Sequence, residues 1–231
     1  LTNNNTQPVT SLEELSASHQ NYVKALWGLQ EWSAEPVTKT ALAQQVGVKL
    51  STASDAVRKL QELKLVNDTR YGAVTLTETG RQLAIQMVRR HRLIEAFLVS
   101  ALDFEWDQVH AEAEVLEHAV SDFLVDRIEE KLGFPDRDPH GDPIPSRDGS
   151  VDRLEAVALS EVPAGSVVTV ERISDADPAL LRYFSEQGIV VGAALTVSES
   201  GPFSGSVAVT VGDRNVQLAL GVARGVWVRV D

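Results

Sequence analysis

The chain has 231 residues, 43% hydrophobic and 23% charged, with a formal net charge of −12. That is enough to bury a real core in two or three small domains and leaves disorder to the ends. No cysteine occurs, which removes disulfides, thiolate zinc sites, iron–sulfur clusters and cysteine nucleophiles, so any metal site must use oxygen and nitrogen.

No run of about 18 apolar residues and no charged-then-apolar leader is present, so the expected compartment is the cytoplasm, with no membrane partner. The charge is segmental. Residues 38–92 carry ten Lys/Arg against four Asp/Glu, a net of +6, and residues 93–142 carry fourteen acids against three bases, a net of −11. A basic module suited to a polyanion is followed by an acidic one that needs cations to stay compact.

Residues 1–15 form a polar lead without an apolar period. From Asn21 the stripe Tyr22, Val23, Ala25, Leu26, Trp27 and Leu29 predicts a first helix ending near Trp32. Residues 38–48 read as a short helix stopped at Gly47. Residues 51–63 read as a third, with Ala53, Val57 and Leu60 inward. Two short helices joined through a glycine turn mark a helix-turn-helix. Residues 65–76 follow as two short strands around a polar turn with Tyr71 and Gly72, which makes a wing. The outward face of the third helix is built of small hydroxyls and bases and fits a DNA groove. Ser51, Thr52 and Ser54 are expected at base edges or phosphates, and Lys49, Arg58, Lys59 and Arg70 at phosphates.

Thr77-Glu78-Thr79-Gly80 caps a long helix running through His91 to about Leu102. A further helix is predicted from about Trp106 to Leu132. Its first half places His110, Glu114, Glu117 and His118 at i, i+4, i+7 and i+8, so two imidazoles and two carboxylates share one face. His91 and Glu95, four apart on the preceding helix, form a second pair. Packing the two helices together would converge three histidines and three carboxylates, more than a solvated surface collects by accident. In the second half, Ala119, Val120, Phe123, Leu124, Ile128 and Leu132 make an apolar stripe larger than one small domain needs, which predicts a homodimer.

Residues 133–145 hold four prolines and two glycines and form a linker or a rigid connecting loop. From Val157 the pattern turns β. Short Val-rich runs at 166–173, 195–200, 206–211, 215–220 and 225–230, with a helix over 178–187, suggest a small SH3-like barrel. The expected fold is mainly α with a small all-β C-terminal domain. Its parts are a winged helix-turn-helix (1–84), a helical dimerisation and metal-binding domain with its Pro-rich connector (85–150) and an SH3-like domain (151–231).

Four stretches are specific in combination: Ser51-Thr52-Ala53-Ser54; Val88-Arg89-Arg90-His91-Arg92-Leu93 with Glu95; the run from His110 to His118; and His140-Gly141-Asp142-Pro143-Ile144-Pro145. On these, over about residues 16–231, the chain resembles the diphtheria-toxin-repressor family of metal-dependent transcription regulators, and within it the manganese transport regulators of actinobacteria. The resemblance implies a DNA-binding repressor rather than an enzyme, with a primary metal site of Asn21, Glu114, Glu117 and His118. The implied ancillary site is His91, Glu95 and His110, completed from the SH3-like domain. There Glu171, Arg172, Asp175 and Asp177 lie in the right stretch, and Asp175 matches best. Relatives carry methionine or aspartate at the first-helix position, whereas Asn21 offers only a neutral carbonyl oxygen.

Iron-sensing relatives have cysteine at the position of Glu114 and manganese-sensing ones glutamate; a carboxylate suits Mn(II), while a thiolate favours softer ions. The implied cofactor is Mn(II), two ions per subunit, with Fe(II) or Co(II) as substitutes. The implied partner is palindromic double-stranded operator DNA bound by a homodimer, with half-sites one helical turn apart and no small-molecule substrate. The resulting function is repression of manganese-uptake genes. Two other readings use the same residues: an Fe(II) sensor on this scaffold, and a metal-dependent hydrolase. Against the hydrolase, the chain has no general base beyond the ligands and no glycine-rich phosphate loop.

Overall fold

The structure, a computed structural model, describes residues 9–69, 73–152, 154–201 and 204–231. The chain divides into two compact units, Leu1–His91 with Pro145–Ser150, and Arg92–Ile144 with Val151–Asp231. Among the described residues no helix is long and apolar enough to cross a membrane.

The first unit starts with α1 (Ala17–Glu31). Ser16 caps it, its hydroxyl accepting from the His19 amide at 3.3 Å, so the helix begins four residues before the apolar stripe that announces it. Next comes α2 (Lys39–Val46), capped by Thr38 and stopped by Gly47, whose φ of +71° is left-handed and costs a glycine little. The following helix, α3 (Leu50–Glu62), buries Ala53, Val57 and Leu60 at i, i+4 and i+7. Antiparallel strands β1 (Val66–Asp68) and β2 (Val74–Leu76) pair Val66 with Leu76 and Asp68 with Val74. The turn between them, with Arg70, Tyr71 and Gly72, lies outside the described residues. The core of this unit joins Leu26, Leu42, Leu60, Leu65, Leu83 and Met87.

The long helix α4 (Glu78–Leu102) begins in this core. Thr77 Oγ1 accepts from the Gly80 amide at 3.1 Å. A Cβ at Gly80 would stand 2.0 Å from the Leu65 carbonyl oxygen, so glycine is what lets the first turn of α4 lie against the backbone after α3.

The second unit takes α4 from Arg92 onward and adds α5 (Val109–Leu116) and α6 (Asp122–Leu132). The single helix expected over 106–132 is therefore two. Ser121 has extended backbone and its side chain accepts from the Leu124 amide, restarting the helix with Asp122 in the first turn. Glu117 caps the end of α5, and His118 stands in the turn beyond it. Apolar spacing concealed this break because Val120 packs inward beside Val125, Ile128 and Leu93 even though it is not helical.

The β part is one six-stranded antiparallel sheet with strand order β3-β8-β4-β5-β6-β7. Its strands are β3 (Val157–Ala158), β4 (Val167–Ile173), β5 (Ala194–Ser198), β6 (Ser206–Val211), β7 (Arg214–Ala219) and β8 (Val226–Val230). Helix α7 (Pro178–Gln187) follows β4, and the short α8 (Leu220–Ala223) follows β7. Alternate residues Val168, Val170, Leu195, Val197, Val207 and Val209 face one core with Leu181 and Phe184 of α7. A bulge between Val170 and Arg172 in the β4–β8 pairing breaks the alternation, so Arg172 and Ile173 are both buried.

The Gly80 contact yields a prediction with a decided sign. Gly80→Ala gains about 1 kcal/mol in helix propensity, but a Cβ against a backbone oxygen costs about 1–3 kcal/mol or more in displacement. The variant should unfold at lower urea than the parent protein; an equal or higher midpoint would show that α4 shifts freely.

Candidate metal centre

The second unit brings Glu95, His110 and Asp175 together from α4, α5 and the turn between β4 and α7, with potential ligand atoms within 4.8 Å of one another. His110 Nδ1 lies 2.8 Å from Asp175 Oδ2 and 3.4 Å from Glu95 Oε1. Its other nitrogen, Nε2, is 3.6 Å from Glu114 Oε1 one turn along α5. Burial works to lower the His110 pKa, but the Asp175 and Glu95 carboxylates overcome it and hold the imidazole up at about 10. Of the other carboxylates and bases in that stretch, Glu171 pairs with Arg137 (2.9 Å) and Arg229 (3.1 Å). Arg172 pairs with Asp142 (2.8 Å), and Asp177 caps α7.

Glu114 and Glu117 also bring oxygens within 4.8 Å of each other. The Glu117 side chain is fully buried, and His118 Nε2 is 3.6 Å from its Oε1. A carboxylate removed from water in this way is costly unless an opposite charge meets it. His91 stands one turn before Glu95 on α4, on the same face by helical spacing. In the first unit, Lys24 Nζ is 3.4 Å from His91 Nδ1. On α1, the Asn21 Oδ1 atom is buried with no hydrogen-bond partner; an acceptor left so is what a cation ligand looks like without its ion. Oxygen and imidazole donors spaced in this way fit a hard or borderline divalent ion.

The 133–145 segment is a docked loop. Asp138 Oδ1 accepts from the amides of His140 (2.8 Å) and Asp142 (3.0 Å). Arg92 Nη2 donates to Asp142 Oδ1 at 3.1 Å and Nη1 to the Pro143 carbonyl at 2.6 Å, while Arg172 Nε donates to the same Asp142 oxygen at 2.8 Å. Gly141 has a φ of +91°, and a Cβ there would meet the Glu171 carbonyl oxygen at 2.0 Å. Burial, with the Asp142 and Glu95 carboxylates, pushes Asp138 well above the usual carboxylate range, against the pull of Arg92. Asp138 and His140 also bring potential ligand atoms within 4.8 Å of Glu95, although in the sequence they read as connector. Their signal was weak: an aspartate two residues before a histidine, in a proline-rich run.

In the first unit, Ser51, Thr52, Arg58 and Lys59 of α3 are exposed, as is Lys49 just before it. Arg58 and Lys59 hold surface ion pairs with Asp55 (2.9 Å) and Glu62 (3.1 Å). Such pairs contribute about 1 kcal/mol or less. Ser54 donates its hydroxyl to the Leu50 carbonyl at 2.8 Å, which leaves it an acceptor only.

Three family models divide the chain: an iron dependent repressor N-terminal DNA binding domain at residues 14–74, an iron dependent repressor metal binding and dimerisation domain at 77–146, and a FeoA domain at 157–230. The chain is 31% identical over 229 residues to the iron-dependent repressor IdeR of Mycobacterium tuberculosis, covering 94% of this chain and 99% of that one. It is 25% identical to the diphtheria toxin repressor of Corynebacterium glutamicum, covering 94% and 98%. Among solved structures, a manganese-dependent transcriptional repressor in complex with manganese shares 50% identity with a TM-score of 0.87, covering 92% of this chain and 99% of that one. The manganese regulator SloR shares 30% with a TM-score of 0.81, covering 92% and 98%. With a DNA-binding helix-turn-helix, a carboxylate–imidazole cluster and an SH3-like sheet in this order, the chain belongs to the diphtheria-toxin-repressor family of metal-dependent, DNA-binding transcriptional repressors.

Proposed function

We propose that this repressor is activated by Mn(II), two ions per subunit, and as a homodimer silences manganese-uptake genes from palindromic operators. The observation that carries the reading is the donor set. Every candidate ligand is a carboxylate, an imidazole or an amide oxygen, with Glu114 rather than a sulfur donor at the centre of the run, and such sets suit manganese. The manganese-bound repressor at 50% identity supports it. Iron(II) is the second reading, favoured by the 31% identical relative named as iron-dependent.

In this mechanism Asn21, Glu114, Glu117 and His118 form the primary site, and His91, Glu95, His110 and Asp175 the ancillary one. A divalent ion supplies charge neutralisation and coordination there. Without it the carboxylates at 95, 114 and 117 repel one another. With them neutralised, Asn21 ties α1 to the ligand run, and this ordering favours the DNA-binding form by about 1–3 kcal/mol, a usual coupling. The functional division is 1–84 for DNA, 85–150 for metal and dimer, and 151–231 as the SH3-like domain that supplies Asp175. Exposed Val115 (69%), Phe123 (76%) and Leu124 (46%) on α5 and α6 are apolar surface for the second subunit. Lys49, Ser51, Thr52, Ser54, Arg58, Lys59 and Arg70 meet the operator.

The test is fluorescence anisotropy of palindromic operator DNA with apo-protein titrated anaerobically with Mn(II) and Fe(II). Tight binding with Mn(II), reversed by chelator, is expected; activation by Fe(II) alone would replace manganese with iron. Glu117→Ala or His118→Ala should weaken metal-dependent binding by at least about 100-fold with unchanged circular dichroism, and parent-like activation would remove both from the site. Arg58→Ala should reduce the salt slope of DNA binding by about 1, whereas an unaltered slope would take Arg58 off the phosphates.

A pH effect follows from His110. Its pKa is raised from 6.5 to about 10, so at neutral pH it is protonated, and an ion taken by this group displaces the proton. Apparent affinity should rise about tenfold per pH unit below about 10. In the metal-free protein, the His110 ion pairs contribute stability that is fully present below about 6.5 and is lost as pH rises through about 10. Titration calorimetry in buffers of different ionisation enthalpy at pH 7 should register about one proton released at this group; none released would separate His110 from the metal.

A further inference from the structure

We infer that Lys24 is a tethered competitor of the metal ion: its ammonium holds the His91 nitrogen that an arriving divalent ion has to take, and so sets the concentration at which the repressor responds. The inference rests on the assignment of His91 to an ion and adds a residue that no ligand spacing points to. Lys24 Nζ lies 3.4 Å from His91 Nδ1, which joins α1 to α4 within the first unit. An ammonium has three donors and no lone pair, so Nδ1 meets it as an acceptor and the imidazole hydrogen is on Nε2. A nitrogen lone pair of the neutral ring is also what a histidine gives to a metal.

The placement of Lys24 on α1 is what gives it this reach. Asn21 and Lys24 stand three residues apart on α1 and share a face, while Tyr22, Val23 and Leu26 enter the apolar core with Leu83 and Met87 of α4. Between Ala17 and Gln30 the helix carries no carboxylate. What α1 brings to His91 is therefore a positive charge, with the neutral amide of Asn21 one turn before it. His91 is 7% exposed and Lys24 is half-buried, so water and salt screen their interaction less than that of a surface pair.

Two cations cannot use one lone pair. A divalent ion bonds an imidazole nitrogen at about 2 Å, inside the 3.4 Å at which the ammonium stands, so Lys24 has to swing out first. Its flexible four-carbon stem allows that, with the methylenes staying on the protein and the charge moving to water. Binding at His91 is thus an exchange of a tethered monovalent cation for a free divalent one. The apparent affinity is reduced to the fraction of molecules in which Nδ1 is clear. The docking of α1 does not hang on this contact alone. The shared apolar core holds it, and Arg90 Nη2 of α4 meets Glu13 Oε1, just before α1, at 3.2 Å.

The test is isothermal titration calorimetry of the full chain with Mn(II) alone, for the parent protein, Lys24→Leu, Lys24→Arg and His91→Ala, alongside urea unfolding with and without Mn(II). Lys24→Leu should bind as many ions as the parent but one of them about tenfold more tightly, a change of about 1.4 kcal/mol. Its urea midpoint should accordingly rise further on adding Mn(II) than the parent's does. Lys24→Arg, which keeps the charge, should bind no more tightly than the parent. Parent-like or weaker affinity in Lys24→Leu, together with a lost ion in His91→Ala, would overturn the role of Lys24 and leave His91 a ligand. Parent-like affinity and ion count in His91→Ala would take His91 off the metal and overturn the inference with it. If Lys24→Leu fails to fold, Lys24→Met, which keeps an unbranched side chain, takes its place.

Discussion

A carboxylate removed from water between two imidazoles is the constraint on which the second unit depends. Glu95 is almost fully buried, and in real proteins an uncompensated buried charge costs several kcal/mol. The segment around it holds fourteen acids against three bases, so compensation has to come from particular side chains. His110 meets Glu95 on one side and His140 on the other. Arg92 and Arg172 both pair with Asp142, and Arg92 also lies 3.8 Å from Asp138. A divalent ion would answer several of these carboxylates at once.

The same logic explains why the connector is rigid. Proline alone would make a spacer, but Asp138 satisfies two amides of its own loop, and Arg92 takes both Asp142 and the Pro143 carbonyl. The bulge in β4 turns Arg172 inward to complete the clasp, and Gly141 is the residue without a side chain where the loop crosses the Glu171 backbone.

The first unit follows a different rule. Its core is apolar, and on α3 its charge is displayed outward in surface ion pairs of small worth. Sensing and reading are thus built from opposite electrostatics. The second unit buries acid and the first displays base, and α4 runs from Glu78 in the first to Leu102 in the second.

By itself the sequence determined the local elements and the chemical class of the centre. Thr38 with Gly47, Asp177 with Pro178 and Gly188, and the i, i+4, i+7 spacing of Ala53, Val57 and Leu60 are signals within one helix length, and α2, α3 and α7 stand where they point. The absence of cysteine and the run from His110 to His118 likewise announced oxygen and nitrogen ligands. Tertiary structure alone decided that this run is broken after Leu116, because Ser121 restarts the chain as a separate helix. It also decided that Asp175, rather than Glu171 or Asp177, meets His110, since the other two are taken by arginines and by a helix cap. Finally, it drew Asp138 and His140 against Glu95, more than forty positions away. Local propensity is carried by neighbours in sequence, whereas the partner of a buried charge is set by which distant backbone the fold brings alongside it.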